Sequence, residues 1–391
     1  MFKKRFTLTW LAEQEWLILL LWFGLTFIVT FKEIWVHNIN DYTIYKNVFF
    51  HVCQQKPLFI AYPEYFDVNN YGPFFSLLIA PFTWLPDSVG GILWVLANAA
   101  FLFYAIRQLP LSRVQQNIIL LFSCHELMGA SSYFQFNVSI AACIILSFSL
   151  ILKGKDFWAA FFIMLGTFTK IYGIVGLSFF FFSQHRLKLI GSLLLWAAVF
   201  FALPMLISSP AYIVQCYHDW LTALRVKTEK NAQFDQGIVL QNISAMGFIR
   251  RVFHLKPFND LLVFIPGAIL FFSQYIWLKW KDNLNYQFYI LSSVLLFTVL
   301  FSSSSESPTY IIAFPAVCIW YVLQYPTKWN NALFIFAFVV CSFAQSDVFT
   351  PWVRKNIAVP YAVKAFPCLL MWVIIVWQVH ARQFLRARPS L

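Results

Sequence analysis

Residues Trp16–Trp35 read WLILLLWFGLTFIVTFKEIW, twenty residues in which only Lys32 and Glu33 carry a charge. As an α-helix such a run rises about 30 Å, the thickness of a hydrocarbon core. Lipid offers no hydrogen bonds, so a chain inside it must satisfy its own backbone, and a helix does so within one segment. A cleaved signal peptide would have a shorter apolar region, about 7–15 residues, closed by a small-residue site. No Ala-x-Ala pattern closes this run, and Lys3-Lys4-Arg5 precede it. It reads as an uncleaved first spanning helix.

The rest of the chain repeats the pattern. Of 391 residues, 60% are hydrophobic and 11% charged, whereas a soluble domain is about one quarter charged. No polar stretch is long enough to bury a core of its own. The expectation is one polytopic domain over residues 1–391, an all-α integral membrane bundle of about twelve transmembrane helices. After the first, spans are expected at Gly90–Ile106, Gln116–Gly129, Asn137–Leu152, Phe157–Thr169, Tyr172–Gln184 and Leu189–Ile207. They continue at Asp260–Leu278, Tyr286–Ser303, Thr309–Gln324, Asn331–Gln345 and Tyr361–His380. Those near Gln116, Phe157 and Tyr172 are short and need neighbouring helices or a thinner bilayer to complete a crossing. The stretch Gly72–Pro86, GPFFSLLIAPFTWLP, is too short for a span and reads as an interfacial or re-entrant segment.

Cytoplasmic connections concentrate Lys and Arg. With these spans, Arg107, Arg113, Lys153, Lys155, Arg186, Lys188, Lys279, Lys281 and Lys328 fall on one side, with Arg382, Arg386 and Arg388 in the tail. The Ala130–Phe136 and Ser304–Pro308 turns on the other side have neither Lys nor Arg. Counting Gly72–Pro86 as a span would invert every later loop. Both termini are therefore expected in the cytoplasm, and the net charge of +12 is mostly a topology signal. Nucleic-acid binding is excluded, because no folded platform gathers the basic residues.

Two long loops, His37–Tyr71 and Ser208–Asn259, hold most of the polar chemistry on the outer side. An active surface is expected there. Of seven cysteines, only Cys53 and Cys216 fall in these loops, where they pair if the loops meet. No CxxC, HExxH or Gly-rich phosphate loop occurs, so no metal or organic cofactor is expected. Asn137-Val-Ser and Asn242-Ile-Ser match the glycosylation sequon.

Several short motifs, in order, carry a resemblance: DYTIYKN (41–47), KPLF (56–59), NYGPFFSLLIAPFTWLP (70–86) and LWVLANAAFLFYA (93–105). Together they resemble the N-terminal part of glycosyltransferase family 87, multi-spanning GT-C-type enzymes that use polyprenyl-phosphate sugars. YFQFNVSI resembles that family's Gly-Gln-x-Asn segment, with Gln135 and Asn137, and GTFTKIYGI its Lys-x-Tyr-Pro segment, with Lys170 and Tyr172. LQNISAMGFIRR resembles its Asn-x-Ser…Arg segment, with Asn242, Ser244 and Arg250 or Arg251. SSESPTYIIAFP, with Glu306 and Tyr310, stands where the family has Ser-Pro-x-x-Trp-x-His-Tyr. The resemblance spans roughly residues 15–325. Gly173 departs from the family's proline, and Glu306–Tyr310 lacks its Trp and His. The resemblance implies a GT-C-like bundle with short amphipathic helices in the outer loops. It also implies a mannose-like or other hexose moved from a polyprenyl phosphate to a lipid- or glycan-linked acceptor.

Such a transfer needs a base for the acceptor hydroxyl and positive charge for the departing phosphate. Asp41 fits the base, and the resemblance implies that role; the competing reading is a cap on a helix beginning at Tyr42. Lys170, between two apolar runs, either meets the lipid-linked phosphate or snorkels to headgroups. Arg250, Arg251 and His254 either grip the same phosphate or anchor the interface. The amides of Gln135, Asn137, Gln241 and Asn242 either read sugar hydroxyls or satisfy backbone at helix ends. Glu306 is a second carboxylate or a helix N-cap, and Tyr45 stacks on a sugar or packs in an interface belt. Asp67, Asp219 and Asp235 read as solvated. A transporter or flippase of lipid-linked saccharides is the rival, but no internal repeat is visible and the polar residues crowd toward one face.

Overall fold

The computed structural model describes residues 8–232, 241–255, 258–346 and 349–387. Of the positions singled out above, Lys3, Lys4, Arg5, Asp235 and Arg388 lie outside the described residues. Among the described residues every regular element is helical. Helices stand where the apolar runs place them: Asp87–Arg107, Arg113–Ser132, Asn137–Leu152, Arg186–Ala202, Leu261–Ser273, Leu284–Leu300, Tyr310–Leu323, Lys328–Phe338 and Ala365–His380. Asp87, Arg113, Arg186, Leu284 and Lys328 open their helices a few residues before the expected starts, because caps set helix boundaries and hydropathy does not. Ser112, for instance, opens the helix Arg113–Ser132 by accepting from the Gln115 N–H while the Gln115 side chain returns to the Ser112 N–H.

Among the described residues, five helical stretches are long and apolar enough to cross a membrane: Glu15–Trp35, Asp87–Arg107, Asp156–Phe182, Arg186–Leu206 and Leu261–Trp280. The third is not straight. Ser183 Oγ donates to Asp156 Oδ1 at 2.7 Å, a contact that a continuous helix across that interval would forbid. The chain reverses at Lys170–Ile171, where the α-helix Asp156–Lys170 gives way to a 3₁₀ stretch, Ile171–Phe182, packed antiparallel against it. Gly166 faces Gly173 and Ile163 faces Gly176. A Cβ at Gly173 would stand 2.3 Å from the Thr167 nitrogen. Any side chain there, the proline expected from the resemblance included, would wedge the hairpin apart.

The helices Asn137–Leu152, Leu284–Leu300 and Tyr310–Leu323 are buried along almost their whole length and form the centre. Helices apolar on every side have no face for water. At the periphery, Leu194, Leu262, Ile269 and Phe272 are exposed, a surface that acyl chains solvate. The segment Gly72–Pro86 forms only a nine-residue helix, Phe75–Thr83, packed against the helices Asn40–Cys53 and Asp87–Arg107. Rising about 14 Å, it is too short to cross.

The two ends of the bundle differ. Asp87 at the start of Asp87–Arg107 pairs with Lys46 at 2.6 Å, and Arg107 at its finish pairs with Glu15 at 2.6 Å. Lys153 donates to Gln108 at this second end. The first end carries the cavity described next. Cys53 and Cys216 remain free thiols, so the disulfide considered between the two loops does not form.

Candidate active site

A cavity of about 890 Å³ opens at the end of the bundle that carries Lys46 and Asp87. Asp41, Gln135, Lys170, Tyr172 and Glu306 contribute to its wall. Each arrives by a different local device.

Asp41 lies in the first turn of the helix Asn40–Cys53, which begins two residues before the expected start at Tyr42. The N-cap is Ile39, with no side-chain capping bond, and the Asp41 carboxylate instead accepts a 2.6 Å hydrogen bond from Gln135 Nε2. The capping reading is thereby overturned. Asn40 fixes this turn from the far side, exchanging two hydrogen bonds with the backbone of Phe66. Loss of water around the carboxylate raises its pKa to about 6, helped by the nearby charge of Glu306 and opposed by the Gln135 hydrogen bond. Desolvation disfavours the charged form, so Asp41 titrates close to neutrality.

Gln135 is delivered by the end of the helix Arg113–Ser132. Phe134 takes a left-handed φ of 54°, the Gln135 N–H reaches Ala130 O at 3.0 Å, and the Phe134 N–H reaches Ser131 O at 3.0 Å. This is a Schellman ending built on phenylalanine where glycine is usual. Trp94 holds it by donating to the Phe134 carbonyl at 2.9 Å. The next helix starts at Asn137, whose Nδ2 donates to Gln135 Oε1 at 3.2 Å.

Lys170 occupies the tip of the folded-back hairpin. Its Nζ donates to Asn137 Oδ1 at 2.7 Å and stands 5.4 Å from the ring centres of both Tyr71 and Tyr172. It turns inward and does not snorkel. One relay of three hydrogen bonds therefore runs from the Lys170 ammonium through Asn137 and Gln135 to the Asp41 carboxylate. A cation and a raised-pKa carboxylate face one space from its two ends.

Tyr172 donates to or accepts from Ser302 at 2.8 Å. Tyr45 reaches Tyr71 at 3.1 Å, but its ring is enclosed by Tyr71, Phe75 and Trp94 and offers no open face for a sugar. Glu306 both lines the cavity and starts a short 3₁₀ turn, its N–H bound to Thr309 Oγ1 at 3.1 Å. That turn is fixed from behind by a buried ion pair, Lys364 to Glu126 at 2.7 Å, with Lys364 also reaching Ser307 Oγ at 3.1 Å.

The segment 241–251 has a different part. Ser244 caps the helix Ala245–Val252 by accepting from Gly247 N–H, and it donates to Asn242 Oδ1 at 2.6 Å. Asn242 in turn donates to Asn231 O. Arg250 pairs with Asp260 and donates to Asn231 O, while Arg251 donates to the carbonyls of Gln241 and Val359. The buried Tyr310 donates to Ile243 O at 3.0 Å. Gln241, Asn242, Ser244, Arg250, Arg251 and Tyr310 thus brace the loop behind the cavity and do not line it. His254 packs at a distance against Tyr361. Both guanidiniums are buried, Arg250 against a carboxylate and a carbonyl and Arg251 against carbonyls, and they stand behind the cavity wall.

Tyr71, Trp220, Lys227 and Ser302 also stand on the cavity wall, and so does Asp67, which the sequence alone places in solvent. Tyr71 stands inside the motif at 70–86, which carries the resemblance without marking this residue for any chemistry. Among the described residues no group of three or more His, Cys, Asp and Glu side chains converges, so no metal-ligand set can be named.

The family model for glycosyltransferase family 87 matches residues 69–303, more than half of the chain. The chain belongs to glycosyltransferase family 87. No curated protein matches it. Membership makes it a membrane glycosyltransferase, and the matched range takes in Tyr71, Gln135, Asn137, Lys170 and Tyr172. Asp41 and Glu306 lie beyond the two ends of the family 87 match, yet the fold returns both to the cavity it encloses.

Proposed function

We propose that this enzyme moves a hexose, mannose-like or other, from a polyprenyl-phosphate donor to a hydroxyl of a lipid- or glycan-linked acceptor. The transfer is a single inverting displacement. The acceptor oxygen attacks the anomeric carbon and gives its proton to Asp41. The bond from that carbon to the phosphate oxygen breaks, and the electron pair leaves with the polyprenyl phosphate near Lys170. No metal or organic cofactor takes part in this reading. The observation that carries it is the hydrogen-bonded relay from Asp41 to Lys170, which sets a base and a cation at separate places on one cavity wall. An in-line displacement needs that separation, with attack on one face and departure from the other.

The direct test incubates purified protein in lipid with a polyprenyl-phosphate hexose and candidate acceptors. Release of polyprenyl phosphate matched by glycosylated acceptor is expected. A saccharide that only changes sides of the membrane, with the donor intact, supports the flippase reading instead.

The pH profile gives a second test. Asp41 works as a base only when deprotonated, so transfer is expected to rise with pH through an acid limb near its pKa of about 6. An ordinary carboxylate would place the limb near about 4.

We place the enzyme in the cytoplasmic membrane as a bundle of about twelve spans, with the cavity on the outer face and both termini inside. The basic residues Arg107 and Lys153, at the opposite end from the cavity, support that orientation. A reporter active only in the cytoplasm is expected to work when fused after Arg113, Lys155, Lys188 or Lys281 and to be silent within Glu64–Asn70. Cytoplasmic activity of the Glu64–Asn70 fusion would rule out an outer-face site.

A further inference from the structure

The helix Pro210–Ala232 carries one stripe, Trp220, Leu224, Lys227 and Asn231, at spacings of four, three and four residues, and the first three of these line the cavity. Both ends of the stripe are pinned. Trp220 donates to Asn70 O at 3.0 Å, and Asn231 donates to Ser303 O at 3.0 Å. Lys227 is held between these anchors and its side chain is only 20% exposed. Its Nζ is 3.8 Å from Glu306 Oε1, an ion pair too long for a hydrogen bond. Partly hydrated pairs of this kind contribute about 0–1 kcal/mol. An incoming anion can therefore take the lysine from the glutamate at little cost.

The charge of the cavity shows why a second cation is needed. Asp41, Asp67, Asp260 and Glu306 line the space with Lys170 and Lys227; Asp260 is already paired with Arg250, and Arg225 and Glu229 are exposed. A sugar phosphodiester carries one negative charge. When its anomeric carbon–oxygen bond breaks, the electron pair stays on the phosphate, and the monoester that leaves carries about −1.5 to −2 near neutral pH. One ammonium balances the donor; the charge that develops during departure calls for another.

We propose that Lys227 supplies the second cation for the departing phosphate, and that Glu306 holds Lys227 in place while the site is empty. This rests on the polyprenyl-phosphate reading above. Because the extra charge appears as the bond breaks, Lys227 acts mainly on the transition state, so its loss lowers kcat more than it raises the donor KM.

The experiment measures inhibition of transfer by the product, polyprenyl phosphate, beside neutral polyprenol of the same chain length. In Lys227→Met, inhibition by polyprenyl phosphate is expected to weaken about tenfold or more, as loss of a hydrogen bond to a charged group does. Inhibition by polyprenol should be unchanged. Lys227→Arg should restore phosphate inhibition to within a few-fold, and Glu306→Gln, which frees Lys227, should tighten it. If Lys227→Met does not fold, Lys227→Gln and Glu306→Gln make the same comparison. Equal phosphate inhibition across these variants and wild type overturns the role of Lys227. Wild-type enzyme indifferent to polyprenyl phosphate overturns the donor reading itself, which is a separate failure.

Discussion

Asp41→Asn is expected to yield a folded protein that still binds the donor but transfers sugar on the order of 10²-fold or more slowly, the usual share of general-base catalysis. The asparagine has the shape of the aspartate, and its oxygen can still accept the hydrogen bond that Gln135 Nε2 now gives to Asp41 Oδ2. No helix cap is lost, because Ile39 occupies the N-cap position. What disappears is the carboxylate that takes the proton. Stability should move the other way. The folded pKa of about 6 lies above the ordinary 3.8, so the stability this group contributes is complete below about 3.8 and lost as pH rises through about 6. Asparagine has no such loss. At neutral pH the variant should melt no lower than wild type while being nearly inactive. Asp41→Glu should be impaired as well, since about 1 Å of misplacement can cost about 10²-fold. Transfer by well-folded Asp41→Asn within a few-fold of wild type would remove Asp41 from the mechanism.

Lys170→Ala is expected to lose about 2–4 kcal/mol of transition-state stabilisation, as removal of an oxyanion-stabilising donor does. That is a rate loss of roughly 30- to 1000-fold. The lysine sits at the hairpin tip above Tyr71 and Tyr172, where neither ring can replace its charge. Its removal also leaves Asn137 Oδ1 without its 2.7 Å donor, which loosens the relay behind Asp41. Kinetics of donor cleavage and of acceptor binding should separate the two effects, the first falling far more than the second. Lys153→Ala, at the opposite end of the bundle, serves as the comparison and should be near normal. Unchanged turnover in Lys170→Ala would return this residue to a purely interfacial role.

Much of this was legible along the chain. Trp16–Trp35 announces a membrane helix because hydropathy and length are local properties. The break at Lys170 is visible for the same reason, since a charge between two short apolar runs has few places to go except a turn or a cavity. Asp41 was visible as a carboxylate beside the membrane, yet its sequence neighbours fit a helix cap equally well. Only the Schellman turn at Phe134, more than ninety positions on, decides between the readings by aiming Gln135 at it.

Arg250 and Arg251 show the opposite case. Two adjacent arginines after a polar loop read as a phosphate grip or an interfacial anchor, since sequence displays the charge and hides the partner. Folding supplies the partners: Asp260 for Arg250, backbone carbonyls for Arg251. Lys227 was hidden for a related reason, because a lysine among Arg225, Glu229 and Lys230 looks like one more solvated charge until the anchors Trp220 and Asn231 fix which side of the helix faces inward. The membrane as solvent, the helices and the break at Lys170 all follow from backbone hydrogen bonding and apolar content over a few turns, which are local to the chain. Which charges are paired, which are buried and which meet in the cavity emerges with the folded chain, because electrostatic and hydrogen-bond partners are set by distances in space that spacing along the chain does not encode.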